Sequence, residues 1–66
     1  MITDLDIWRS ANVLIARYGE HAPRVATMKA DAFLAVEKPE AHALWMRIHA
    51  AVLELRRERP KGESLN

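Results

Sequence analysis

The sequence predicts an all-α protein, a small antiparallel three-helix bundle with helices over about 4–18, 22–37 and 39–58. Three observations point there. Apolar residues recur at about 100° per residue and do not alternate as in a strand. Glycine and proline occur only at Gly19, Pro23, Pro39, Pro60 and Gly62, so they divide the chain into stretches of helical length. The connections between those stretches are short, which makes consecutive helices antiparallel neighbours.

The first helix is expected to start at about Asp4. Thr3 followed three residues later by Asp6 resembles a capping box with a shorter acid, and Asp4 and Asp6 lie where the helix dipole favours negative charge. Ile7, Trp8, Ala11, Leu14, Ile15 and Tyr18 then fall on one helical face, with Arg17 in the last turn and Gly19 in the position of a left-handed C-terminal cap.

The second helix is expected to begin between His21 and Pro23, because proline is tolerated in a first turn whose N–H has no partner. Its stripe is Ala22, Val25, Ala26, Met28, Ala32, Phe33 and Val36, rich in small residues that permit close helix approach. Pro39 pushes Lys38 away from helical dihedrals, so this helix should stop near Val36 or Glu37. Pro39 can then open the third and longest helix, which Pro60 and Gly62 terminate. One helical domain over 1–59 and a flexible tail over 60–66 follow from this reading.

Composition narrows the functional classes. The 66 residues hold a single small domain, and half of them are hydrophobic. Ten Lys and Arg against nine Asp and Glu give a net charge of +1, too little field to gather nucleic acid or an anionic membrane. There is no cysteine, hence no disulfide framework or thiolate metal site, and an acidic N-terminus without a long apolar run argues against a signal peptide or a membrane span. A cytoplasmic protein with no membrane association is expected. Small cores lie near the edge of stability, and self-association would relieve that shortage.

The third helix carries the most informative pattern. Ala41, Leu44, Trp45, Ile48, Ala51, Val52 and Leu55 form one broad stripe, while Ala43, Met46, Ala50 and Leu53 form a second on the far side. A helix needs one apolar face to fold and a second only if something else covers it. Met46 and Leu53 can be read as two isolated exposed hydrophobes of the ordinary kind. They can equally be part of a contact face of Met46, Ala50, Leu53 and Leu34, with Val13 also projecting off its stripe. Trp8, Ile15, Phe33, Trp45, Ile48 and Val52 are the expected core.

Other constellations carry less. His42, Met46 and His49 share one side of a helix but supply too few ligands for a closed metal site, so the two histidines are read as half-exposed seam residues. Lys29 lies in the apolar stripe of helix two and is read as a snorkelling lysine, since nothing around it completes a reactive site. Arg56, Arg57, Arg59 and Lys61 form a basic cluster that offers an alternative contact to nucleic-acid phosphates, although Glu54, Glu58 and Glu63 are interspersed with it. No Gly-rich loop, nucleophile elbow or paired acid–base group is present, and no cofactor is expected.

The runs Asp6-Ile-Trp-Arg-Ser-Ala, Leu14-Ile15, Arg17-Tyr18-Gly19, Ala30-Asp31 and Leu44-Trp45-x-Arg47-Ile48-x-Ala50-Ala51-Val52-x-Glu54-Leu55 resemble a family of short, all-helical bacterial proteins of unknown function. The likeness spans most of residues 4–57. It implies a short helical protein and brings no activity or site residue with it. The function expected from the residues is a non-enzymatic protein–protein interaction module or small accessory protein, homodimeric or bound to another protein. A small nucleic-acid-binding module using the basic end of helix three is the alternative.

Overall fold

A computed structural model describes residues 3–57. Apart from Thr3 and residues 36–38, every described residue is helical. Helix α1 spans Asp4–Tyr18, a 3-10 turn spans Gly19–His21, α2 spans Ala22–Ala35 and α3 spans Pro39–Arg57.

The start of α1 follows its sequence closely. The Thr3 hydroxyl accepts from the Asp6 N–H at 3.2 Å, and the Asp6 carboxylate accepts from the Thr3 N–H at 3.2 Å. Two donors that the first turn would leave without partners are thereby satisfied.

The passage out of α1 corrects the expected three-helix bundle. Gly19 has φ 58° and ψ −127°, outside the left-handed helical well, and its N–H still bonds the Ile15 carbonyl. The Ala22 N–H in turn bonds the Gly19 carbonyl, which closes the 3-10 turn. Backbone bonding therefore stays helical through the turn, and Asp4 to Ala35 is one bent helical segment. The described molecule is two helical segments: this bent one, with arms α1 and α2, and the separate α3. Gly19 was expected to end a helix, whereas it bends one, because the residues after it keep short-range helical bonds.

The true break comes after α2. Helix α2 ends at Ala35, two residues before the expected limit, and the Lys38 N–H reaches back to the Phe33 carbonyl at 2.9 Å while the Glu37 N–H bonds Leu34 at 3.0 Å. This pair of bonds is a Schellman motif, and its special position is filled by Glu37 at φ 60° where glycine is usual. Lys38 then precedes proline, and its carbonyl accepts from the His42 N–H at 3.0 Å as α3 begins. The expected helix over 39–58 is observed as Pro39–Arg57. The expected tail over 60–66 lies outside the described residues.

The core sits where α3 packs against both arms of the bent segment. It contains Ile7, Ala11 and Leu14 from α1, Ala22 and Ala26 from α2, and Ile48, Ala51 and Val52 from α3. Among the described residues, only Val52 of the larger side chains is completely enclosed. Alanine at Ala11, Ala22, Ala26, Ala30 and Ala51 lets the helices approach closely, but each contributes little apolar area, so burial is thin for the residues ordered.

The expected core needs correction. Ile48 and Val52 are buried as predicted. Ile15 and Trp45 are half-buried against the core, and Phe33 is half-buried. Trp8 is 37% exposed. On α1 the residues Ile7, Ala11 and Leu14, spaced i, i+4 and i+7, take the centre of the buried stripe, which leaves Trp8 on its edge.

Candidate functional site

Helix α3 presents Met46, Ala50 and Leu53 on the side opposite Ile48, Val52 and Leu55, and all three are exposed. Met46 and Leu53 retain 39% and 42% of their accessible surface.

Beside this face runs a shallow groove between α1 and α3, lined by Ile7, Trp8, Ala50 and Ala51 and rimmed by Asp4, Arg47 and Glu54. Trp8 and Ala50 share that groove, so the apolar surface of α3 continues onto α1. Sequence reasoning missed Trp8 as a surface residue. The available signal was its place next to Ile7: neighbouring residues on a helix lie about 100° apart, so only one can occupy the middle of a narrow stripe.

Arg47 crosses the groove to Asp4, with Nη2 to Oδ1 at 2.9 Å. Both side chains are mostly exposed, at 55% and 85%, so the pair orients α1 on α3 and contributes at most about 1 kcal/mol. Leu34, the fourth residue of the expected contact face, is exposed on α2. It lies one turn beyond Ala30, whose carbonyl accepts from His42 Nδ1 at 2.9 Å, and His42 is one turn before Met46. Leu34 and Met46 thus flank the same interhelical tie. Val13 is exposed but does not line the groove.

The remaining candidates have local roles. His42 and His49 are both half-buried at the seam, as predicted. Among the described residues no cluster of three or more His, Cys, Asp or Glu is placed to hold a metal. Lys29 reaches over the Trp45 ring with its ammonium 5.6 Å from the centroid, so its stem covers the aromatic while its charge stays exposed. Arg56 donates to the Gly19 carbonyl at 3.2 Å, and Arg57 lies 3.9 Å from Glu54. The other two residues of the basic cluster, Arg59 and Lys61, lie outside the described residues. No described helix is long and apolar enough to cross a membrane.

Compared with known proteins, the chain matches no family model, no curated protein and no solved structure.

Proposed function

We propose that this protein acts through protein contacts and is non-enzymatic, with the outer face of α3 as the contact surface and self-association as its first use. The observation that carries this reading is the exposed apolar face of Met46, Ala50 and Leu53 on α3, whose Ala50 shares a groove with Trp8 of α1. A thin alanine-rich core gives the surface a physical purpose, because covering it adds apolar burial that the monomer lacks. A cytoplasmic setting belongs to the same proposal and is supported by the cysteine-free composition. So does membership among the short helical bacterial proteins that the sequence resembles.

Sedimentation equilibrium tests the proposal. The wild type is expected to associate at micromolar concentration, and Met46→Lys and Leu53→Lys are expected to return it to a folded monomer. A wild type that stays monomeric at high micromolar concentration, with stability unchanged by both substitutions, refutes self-association. The nucleic-acid alternative is carried by a smaller basic surface, since Arg56 is engaged with Gly19. Binding to duplex or single-stranded nucleic acid that weakens steeply with salt would favour it, and no binding at about 50 mM salt would end it.

A further inference from the structure

The exposed face of α3 has the spacing of a coiled-coil seam. Ala43, Met46, Ala50, Leu53 and Arg57 alternate three and four residues apart, and all are exposed. Small Ala43 and Ala50 alternate with the larger Met46 and Leu53 and leave holes into which a facing helix could place its own side chains. Arg47 and Glu54 flank the seam on the groove side, and His42, His49 and Arg56 flank it on the other.

We propose that the occupant of this face is a second copy of the chain, packed antiparallel about a two-fold axis so that Arg47 of each copy lies beside Glu54 of the other. The proposal rests on the self-association reading above. Its own support is charge complementarity. In an antiparallel pair related by a two-fold axis, each flank meets its own counterpart. The groove-side flank holds one base and one acid seven residues apart, so this arrangement joins opposite charges twice. A parallel pair would set both Arg47 and Glu54 against the flank of His42, His49 and Arg56, where Glu54 meets a base but Arg47 meets no acid, so only one of the two charges is matched. Two of those three are already committed within the protomer, His42 to Ala30 and Arg56 to Gly19. Arg47 and Glu54 have contacts of their own, to Asp4 at 2.9 Å and to Arg57 at 3.9 Å, but their side chains are 55% and 50% exposed and stay within reach of a partner. The contact between Arg47 and Asp4 does not compete, because a guanidinium has five N–H donors and can serve two carboxylates.

Charge reversal tests the arrangement. Arg47→Glu alone and Glu54→Arg alone each place like charges at both cross-contacts, and each is expected to weaken association about tenfold. An equimolar mixture of the two variants is expected to recover wild-type affinity as a heterodimer, because the introduced acid then meets the introduced base and the native pair is kept. Val13→Lys, which adds a charge at an exposed residue outside the groove, is expected to leave association unchanged. Thermal melts by circular dichroism verify that each variant is folded.

A second readout gives the direction of packing. The chain has no cysteine, so Ala50→Cys and Ala43→Cys are single labelling sites for a short bis-maleimide. Antiparallel packing brings the two copies of position 50 together near the axis and holds those of position 43 roughly 20 Å apart at 1.5 Å rise per residue. Ala50→Cys is expected to cross-link and Ala43→Cys is not. A mixture that binds no tighter than the single variants, or Ala43→Cys linking as readily as Ala50→Cys, overturns the antiparallel arrangement while leaving self-association in place. A wild type that remains monomeric overturns both.

Discussion

His42 Nδ1 lies 2.9 Å from the carbonyl oxygen of Ala30, tying the first turns of α3 to the last turns of α2. Since a carbonyl only accepts, the bonded nitrogen carries the proton, and that nitrogen is occupied in packing. What the sequence offered as a histidine pair on one helix face is thus split into one interhelical tie and one seam residue, His49.

Removing that tie should cost stability. His42→Ala is expected to destabilise the fold by about 1 kcal/mol, the net worth of one intramolecular hydrogen bond. Urea denaturation followed by circular dichroism reads the change. His49→Ala, at a residue of similar burial without a hydrogen bond in the described structure, should cost less.

Glu37 occupies a backbone position that suits glycine. Its φ of 60° is strained for any residue with a Cβ, and its side chain is exposed. Glu37→Gly should relieve the strain and, after allowing for the greater freedom of glycine in the unfolded chain, stabilise by about 0.5–1 kcal/mol. The converse holds at Gly19, also at positive φ, where an added Cβ would meet nothing within 4 Å. Gly19→Ala should therefore destabilise by about 1 kcal/mol through backbone strain alone. Opposite shifts in melting temperature would confirm both, and a lowered melting temperature for Glu37→Gly would contradict the Schellman assignment.

The two faces of α3 should respond differently to truncation. Ile48 is 3% exposed, so Ile48→Ala should cost about 2–5 kcal/mol. That is comparable with the few kcal/mol that a domain of this size usually possesses, and the variant should be largely unfolded at room temperature. Leu53→Ala should leave the helical signal of a dilute sample almost unchanged. Equal loss from both substitutions at low concentration would mean that Leu53 supports the protomer itself.

Trp8 separates groove from core. If it belongs to the contact surface, Trp8→Ala weakens association at least as much as Met46→Ala, whereas Val13→Ala, at an exposed residue outside the groove, leaves it unchanged. Tryptophan fluorescence in a Trp45→Phe background, which leaves Trp8 as the single reporter, should shift to the blue as concentration rises. An emission maximum independent of concentration while the protein associates would place Trp8 outside the interface.

Local signals were legible one residue at a time. The Thr3–Asp6 capping box, Pro39 at the head of α3 and the start of α1 all depend on groups within four residues of one another, and the structure places them as the sequence implies. The two-faced pattern of α3 was legible for the same reason, since helical period alone puts Ile48 and Met46 on different sides. The outcome at Gly19 was not, because glycine permits both an ending and a bend.

By itself, the sequence determined that this protein is helical, where its helices begin, and which residues of α3 share a side. Tertiary structure decided that α1 and α2 join in one bent segment, that alanines occupy the centre of the core, and that Trp8 lines a surface groove. The physical reason is distance along the chain. Arg47 meets Asp4 across 43 positions and Arg56 meets Gly19 across 37, and which edge of a stripe is covered depends on such encounters between helices rather than on the periodicity within one.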